Sequence, residues 1–280
     1  MTPSIGMLGA GGMGAAIGRR LVDNGLTVRI ALEGRSAASR ERAAAAGMIP
    51  ASDAEVAASD IILAVLPPSD AVAAAGRLAA TIARAGTKPV YVDLNAIGPE
   101  TAKAIGGSVE EAGAVFVDGS IIGFPPGAPD RPEPTLFLSG AAADRAAVLA
   151  AHGLTTKVVP GGIGAASALK MSYGGITKGQ IALGASLILA AERAGAAAIL
   201  RDELAASQAA VLAGYRRSIP DMLPKAARWV AEMEEIAAYI GPEHPEHAFF
   251  SAAAAFYRRI AADEEKDGPE SEALRAFLKG

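Results

Sequence analysis

The sequence contains no cysteine, and this absence excludes disulfide bonds, thiolate metal sites and cysteine nucleophiles together. Histidine is scarce as well, with three residues in a chain of 280. His152, His244 and His247 lack the spacing and the neighbours of a structural zinc site. We therefore predict no metal site.

A surplus of positive charge is also missing. The formal net charge is −4 and the isoelectric point is about 5.5, which argues against nucleic acid as a main partner because backbone phosphates require a basic surface. Apolar runs end at Gly, Pro or a charged residue well before the ~18 residues that a membrane span needs. The N-terminus lacks the three regions of a signal peptide. We expect a cytoplasmic protein with no membrane partner and, from its length, two domains.

The most informative stretch is residues 5–14, IGMLGAGGMG, in which an apolar run leads into a glycine-rich turn and then into a helical pattern. Gly9, Gly11 and Gly14 have G-x-G-x-x-G spacing, which permits a tight turn, close approach of a pyrophosphate and close packing of helix on strand. The free N–H groups at the helix start attract phosphate. The turn predicts dinucleotide binding by the following residues: Gly9, Ala10, Gly11, Gly12, Met13 and Gly14.

The end of the second predicted strand, residues 26–32, indicates which dinucleotide is bound. Glu33 stands where an acidic residue would accept hydrogen bonds from the ribose 2′-hydroxyl of NAD. Arg35 and Ser36, with Arg40, would instead hold the 2′-phosphate of NADP. A cation and a hydroxyl directly after the strand favour NADP, with NAD as the alternative; Arg40 has a second interpretation as part of a solvated turn.

Further strands alternate with helices through the first half of the chain. Residues 61–66 form an apolar run typical of a strand buried on both faces, and Leu66 and Pro67 lie at its carboxyl edge, where open α/β sheets bind ligands. The next strand, residues 89–94, places Asp93 and Asn95 at the same edge. Leu66, Pro67 and Asn95 are therefore predicted to contact the cofactor.

The later part of this half predicts three more features. They are a strand over residues 114–118, a long turn over 119–127 and a short strand over 135–139 that precedes a helix near 141. The pattern predicts a Rossmann domain with a doubly wound, mostly parallel sheet whose late strands run antiparallel.

The sequence pattern changes near residue 160 from alternating strands and helices to helices alone. We therefore place a domain boundary there, between residues 1–160 and 161–280. Only helices are predicted beyond it, over residues 164–193, 202–215, 222–240, 248–262 and 271–278. The fold class is thus an α/β Rossmann domain joined by a long interdomain helix to an all-α domain. Glycines inside a helix cost roughly 1 kcal/mol each, so the glycines of the first helix predict close packing. The apolar helical half predicts a homodimer.

Several motifs together resemble the β-hydroxyacid dehydrogenases, the group that includes 3-hydroxyisobutyrate and 6-phosphogluconate dehydrogenases. The motifs are LGAGGMG, AVLPPS, VDLNAIGPET, VDGSIIG and GGIGAASALKMSYGG, and they cover nearly all of residues 1–200. RWVAEMEEIAAYI is similar to a divergent branch with its own helical C-terminal domain. The resemblance implies an NAD(P)-dependent oxidoreductase with Lys170 on the catalytic helix, and a substrate-recognition turn at Ser120, Ile122 and Gly123.

Two positions depart from this family. Ile122 replaces a serine that contacts the substrate carboxylate, with Ser120 two places earlier, and Gly174 replaces an asparagine four residues after the lysine. Both changes remove polar contacts to a 3-hydroxy acid. The reaction class is expected to carry over, whereas the usual substrate is not.

Hydride transfer requires a group that gives a proton to the substrate oxygen or takes one from it. Lys170 is our candidate, since it stands in a small, apolar helical stretch. Tyr173 and Lys178 follow at helical spacing and would complete a stripe for an anionic small-molecule substrate, although Lys178 is equally well an ordinary surface residue. Two other functions remain open: an NADP(H)-binding redox sensor without turnover, and an imine reductase-like enzyme, although Lys170 argues against the latter because a tyrosine or aspartate often replaces the lysine in such enzymes.

Overall fold

A computed structural model describes residues 2–279. One mixed sheet of eight strands, in the spatial order 3-2-1-4-5-6-7-8, organises the first part of the chain. The strands are β1 (Ile5–Leu8), β2 (Val28–Ala31), β3 (Ile49–Ala51), β4 (Ile61–Ala64), β5 (Val90–Asp93), β6 (Val115–Ile122), β7 (Thr135–Ser139) and β8 (Thr155–Val158). Neighbouring strands are parallel except for β6 and β7, which pair antiparallel, so the predicted Rossmann sheet and its antiparallel late strands are confirmed.

Helices cover both faces of this sheet. They are α1 (Gly12–Asp23), α2 (Ala37–Ala45), α3 (Asp53–Ala57), α4 (Pro68–Ala85), α5 (Pro99–Glu111) and α6 (Ala143–Ala147). Alternate strand residues point to opposite faces. Ile5 and Met7 of β1 lie in the core beneath α1, whereas Leu8 lies in the core beneath α3, α4 and α5. Burial of each such side chain contributes ~1.5–3 kcal/mol to folding, and the uninterrupted apolar runs of the strands follow from burial on both faces.

The structure corrects the predicted turn over residues 119–127. Strand β6 continues to Ile122, because residues 118–122 pair with β7 and Ile121 is buried in the sheet core. Only the chain from Gly123, with its positive φ of 131°, leaves the strand. The sequence analysis also missed β3, a three-residue strand that pairs with β2 and contains Pro50.

The rest of the chain is helical. Its helices are α7 (Ala165–Arg193), α8 (Ala197–Ser207), α9 (Ala209–Met222), α10 (Ala226–Ile240), α11 (Glu246–Glu264) and α12 (Pro269–Lys279). The chain forms two compact units that divide between Lys170 and Met171, inside α7. The helix predicted over residues 202–215 is wrong, because the chain leaves helical geometry at Gln208 and begins a new helix at Ala209.

The glycines of α7 have the close packing that their cost in a helix predicts. A Cβ built on Gly175 or Gly179 would lie 3.3 Å from the ring of Phe250 in α11. A Cβ on Gly184 would approach Tyr215 of α9 to 2.3 Å, which is shorter than any real contact. Neighbouring helices therefore occupy the space that side chains on α7 would otherwise fill.

Helix α7 also meets the length and hydropathy of a membrane span, with a mean hydropathy of 1.2 over its most apolar 18 residues. Of this window, 44% is buried inside the protein. Met171, Ala185 and Leu189 of α7 belong to the core of the helical unit, beside Trp229 of α10. Core helices of soluble proteins share these properties, and packing within the helical unit accounts for part of the apolar composition of α7.

Candidate functional site

The glycine-rich loop joins β1 to α1 and contains two kinds of glycine. Gly9 has a φ of 96°, and a Cβ there would lie 2.3 Å from the carbonyl oxygen of Val65. A Cβ on Gly14 would lie 2.4 Å from the carbonyl oxygen of Gly9. The fold itself therefore requires glycine at these two positions, because the helix could not otherwise pack so close to the strand.

Gly11 and Gly12 are different, because both are exposed and a Cβ on either would meet open space. Helix α1 starts here with Gly11 as its N-cap, and within the described chain no side chain caps it. The first N–H groups of a helix need an acceptor, and the positive end of its dipole favours an anion. Space and donors thus fit a dinucleotide pyrophosphate. Ala10 is buried and Met13 packs against the sheet core, so their side chains serve the fold.

The predicted ribose end lies between β2 and α2. Glu33 is exposed. The Nη1 atom of Arg35 lies 3.3 Å from Oδ2 of Asp70 in α4, and the two side chains are 24% and 43% exposed. Ser36 caps α2 by accepting the N–H of Ser39. The loop therefore presents an arginine, a hydroxyl and a helix start together, with Asp70 already paired to the arginine.

Arg42 adds a contact that the sequence analysis missed. Its Nε donates to the carbonyl oxygen of Ala10 at 2.7 Å, and its Nη2 donates to Oγ of Ser39 at 3.2 Å. Arg42 therefore connects α2 to the glycine-rich loop. The sequence signal was weak, because Arg42 is one of several charged residues on an exposed helix.

The carboxyl ends of β4 and β5 are joined through a buried network. The N–H of Leu66 donates to Oδ1 of Asn95 at 2.6 Å. Asn95 in turn donates its backbone N–H and its side-chain Nδ2 to the two oxygens of Asp93, at 2.9 and 3.0 Å. Pro67 follows Leu66 as the N-cap of α4. The predicted residues Leu66, Pro67 and Asn95 thus do lie at one edge of the sheet, and Asp93 orients the amide of Asn95.

Burial raises the pKa of Asp93 to about 7. The hydrogen bonds from Asn95 lower this pKa, and the nearby carboxylate of Asp118 raises it further. Both protonation states of Asp93 are therefore populated near neutral pH.

Asp118 lies on β6 directly beside Asp93 on β5 and is fully buried. Its Oδ2 accepts hydrogen bonds from Ser139 Oγ at 2.8 Å and from the backbone N–H groups of Gly164, Ala166 and Ser167 at 2.9–3.1 Å. Its Oδ1 accepts from Ser167 Oγ at 2.6 Å. This carboxylate therefore binds the start of α7. The sequence analysis assigned it no role, although it is the one charged residue in the strand VFVDGSII.

Lys170 is half-buried in the second turn of α7, and its Nζ donates to the carbonyl oxygen of Ile121 at 2.7 Å. The ammonium group is therefore held at the end of β6, next to Ile122 and Gly123. Ser120 is placed differently from our expectation, because it is fully buried within the strand rather than in a recognition turn. Its hydroxyl has no hydrogen-bond partner among the residues that the structure describes.

Tyr173 and Lys178 belong to the helical unit. Tyr173 is 49% exposed. Lys178 forms an ion pair with Glu232 of α10 in which both side chains are about 15% exposed, and its Nζ lies 5.3 Å from the centre of the Trp229 ring. The structure thus pairs the charge of Lys178 inside the helical unit, because Glu232 and Trp229 occupy its surroundings. The predicted anion-binding stripe of Tyr173 and Lys178 with Lys170 stays a prediction, with the charge of Lys178 paired to Glu232.

Metal ligands are not clustered in the described part of the chain, where no group of three or more His, Asp or Glu residues is arranged to hold an ion.

The first unit thus contains a glycine-rich loop, a basic loop after β2, the Asn95 network and Lys170. This set matches what a dinucleotide and a proton-transfer group require.

Comparisons with known proteins agree with this geometry. The model of the NAD-binding domain of 6-phosphogluconate dehydrogenase matches residues 4–154, just over half of the chain. A domain of unknown function, DUF1932, matches residues 191–260. No curated protein matches the chain in sequence.

Solved structures share the fold over nearly the whole chain. The conserved protein MTH1747 of unknown function, reported as similar to 3-hydroxyacid dehydrogenases, is 24% identical over 98% of this chain and 99% of its own, with a TM-score of 0.71. Mycobacterium tuberculosis 3-hydroxyisobutyrate dehydrogenase, solved with L-serine, is 23% identical over 99% of both chains, with a TM-score of 0.74. Streptomyces aurantiacus imine reductase is 20% identical over 99% of this chain and 100% of its own, with a TM-score of 0.56.

The family match covers the open glycine-rich loop and strands β1 to β7 of the sheet, and the structural neighbours share the fold of the helical half as well. The chain therefore belongs to the 6-phosphogluconate dehydrogenase-like superfamily of NAD(P)-binding oxidoreductases.

Proposed function

We propose that the protein is an NADP-dependent oxidoreductase that moves a hydride between the nicotinamide and a small hydroxy acid or related carbonyl compound. The observation that carries this proposal is the position of Lys170. Its Nζ is held on the carbonyl oxygen of Ile121, at the end of a strand in the same unit as the open glycine-rich loop. A proton donor and a dinucleotide loop are the two parts that this reaction needs.

When bound, the cofactor supplies or accepts the hydride at its nicotinamide ring. Gly11 and Gly12 would leave room for the pyrophosphate, and the first N–H groups of α1 would donate hydrogen bonds to it. The hydrogen bond between Leu66 and Asn95 fixes the carboxyl ends of β4 and β5 relative to each other.

Lys170 is the proton donor and acceptor in this proposal. During reduction of a carbonyl, its ammonium group gives a proton to the substrate oxygen as the hydride reaches the carbon. During oxidation, the neutral amine accepts the hydroxyl proton. Ile121 accepts a hydrogen bond from Nζ and so orients it before the substrate arrives. The positive charge of Lys170 also favours an anionic substrate.

Two alternatives keep specific support. Ile122 and Gly174 stand where the resembled family has polar substrate contacts. Gly174 is buried, and a Cβ built on it would lie 3.7 Å from the side chain of Ile236. Loss of these contacts favours a cofactor-binding redox sensor without turnover. Similarity in fold to an imine reductase favours reduction of a carbon–nitrogen bond. A screen of substrates must therefore include small hydroxy acids, carbonyl compounds and cyclic imines.

We also propose that the helical half forms a homodimer. Ile176, Leu183 and Leu187 lie along one side of α7 and are 47–63% exposed, and Phe249 of α11 is 43% exposed. Beside them lies an apolar groove of about 450 Å³, lined by alanines together with Leu183, Ser186, Phe249, Phe256 and Arg259. Exposed apolar side chains grouped on one face favour burial against a partner. A second copy of the chain is the proposed occupant.

Substitution Arg35→Ala tests the preference for NADP. It is expected to weaken the binding of NADPH by roughly 1–3 kcal/mol, the contribution of a charge-assisted contact, and to leave the binding of NADH nearly unchanged. The ion pair with Asp70 is partly exposed and its atoms are 3.3 Å apart, so we expect a contribution of about 1 kcal/mol, with which a phosphate can compete. Cofactor fluorescence titration measures both affinities, with Arg77→Ala as the control because Arg77 also pairs with an aspartate, Asp53. An equal loss for both cofactors would exclude a 2′-phosphate contact.

Substitution Lys170→Met tests the acid/base assignment. NADPH binding is expected to stay intact, whereas kcat falls by roughly 10²-fold or more and the pH profile of kcat loses one limb. Lys103→Met is the matched control, since Lys103 is an exposed lysine paired with Glu100. Retention of more than about a tenth of the rate on the best substrate would assign the proton transfer to another residue. Tight NADPH binding with no turnover of any compound in the screen would favour the sensor.

The mass of the protein in solution tests the dimer. Light scattering at micromolar concentration is expected to give twice the chain mass of 28.1 kDa. The double substitution Leu183→Glu, Leu187→Glu should give the single-chain mass, because it places charges on the exposed side of α7. A stable single-chain mass for the unmodified protein would remove this proposal.

A further inference from the structure

The start of α7 is bound to the sheet through one buried side chain. Asp118 accepts five hydrogen bonds, three of them from the backbone N–H groups of Gly164, Ala166 and Ser167 and two from the hydroxyls of Ser139 and Ser167. Its exposed fraction is zero, so these bonds replace its hydration entirely.

The helix has a physical need for such an acceptor. The first N–H groups of a helix have no partner within it, and a negative charge near them is favoured by the helix dipole. The first turn of α7 contains no acidic residue. Asp118 supplies the missing charge from β6, more than forty residues earlier in the chain.

The same strand also holds the ammonium group of Lys170. Ile121 follows Asp118 by three residues on β6, and its carbonyl oxygen accepts the Nζ hydrogen bond at 2.7 Å. Strand β6 therefore fixes α7 at two levels, its first turn through Asp118 and its second turn through Lys170. A shift of the helix by one residue would translate it by 1.5 Å and rotate Lys170 by about 100° away from this acceptor.

We propose that Asp118 is a positioning residue that sets the register of α7 on β6 and thereby places Nζ of Lys170 for proton transfer. The catalytic consequence rests on the proposed function, whereas the structural consequence for Lys170 does not. A misplacement of about 1 Å can cost up to 10²-fold in rate, so loss of this anchor affects turnover without touching the cofactor loop.

Two substitutions separate the charge of Asp118 from its hydrogen bonds. In Asp118→Asn the amide oxygen can accept the three backbone N–H groups, and the amide nitrogen can donate to Ser167 Oγ, because a hydroxyl accepts as well as donates. In Asp118→Ala every one of these bonds is lost. Leu149→Ala is the control for lost stability alone, since it empties a fully buried position in the core of the same unit.

The first readout is the rate at which an amine-reactive reagent labels Lys170 in the folded protein, measured by peptide mass spectrometry. Labelling is expected to be at least fivefold faster in Asp118→Ala than in the unmodified protein, because Nζ leaves the carbonyl of Ile121. Asp118→Asn is expected to restore a rate within twofold, and Leu149→Ala to leave it unchanged. These measurements need no substrate.

The second readout is turnover, measured well below the melting temperature of each variant. Asp118→Ala is expected to lose 10-fold to 100-fold in kcat with its NADPH affinity kept within threefold, and Asp118→Asn is expected to recover most of the rate. If the reagent labels Lys170 at the same rate in Asp118→Ala and in Leu149→Ala, the positioning role is overturned. If labelling changes as expected but the unmodified protein turns over no substrate, the proposed function fails and the positioning role stands.

Discussion

The arrangement of the candidate site depends on the hydrogen bonds between the carboxylate of Asp118 and the start of α7. A 29-residue helix begins where the sheet ends, and its first N–H groups need a buried acceptor. Asp118 provides it on β6, and Lys170 then reaches the carbonyl of the same strand. A buried, fully hydrogen-bonded charge specifies one register, because any other arrangement would leave both the carboxylate and the helix start without partners.

The other half of the site follows from a different constraint, the close approach of α1 to β1 and β4. Gly9 and Gly14 are required because backbone oxygens occupy the space of their side chains. Gly11 and Gly12 have no such requirement from the protein, and the open space beside them is what a bound pyrophosphate would need. The same motif therefore contains glycines that the fold requires and glycines that we propose for binding.

Local signals were enough to predict much of this structure. Strand β1, the glycine turn and α1 were predicted because apolar pattern, glycine spacing and helix start lie within twenty residues. The predicted turn after Asp118 was wrong for a related reason: Gly119 and Gly123 are turn signals locally, but pairing with β7 extends the strand. At Gln208 the chain breaks a helix without glycine or proline, so no local signal marked the break.

The contacts that define the site were beyond local reasoning. Asp118 binds residues 46–49 positions away, Arg42 reaches Ala10 across 32 positions, and Glu232 pairs with Lys178 across 54. Spacing along α7 suggested that Lys178 would share the face of Lys170, yet a partner on α10 decides where its charge lies. Position in a helix can be derived from sequence, whereas the partner of a charge depends on the tertiary fold.

The central claim is that the glycine-rich loop binds a nicotinamide dinucleotide, and the most direct measurement is NADPH titration of the unmodified protein beside Gly11→Ala. Gly11 has φ −67° and ψ 179°, which alanine adopts freely, and its Cβ would meet only open space, so the melting temperature should not change. The account predicts saturable binding of one NADPH per chain and at least a tenfold loss of affinity in the variant, because the added methyl group occupies the place of the pyrophosphate. Equal affinity of both proteins for NADPH, or no binding of either NADPH or NADH by the unmodified protein, would contradict it.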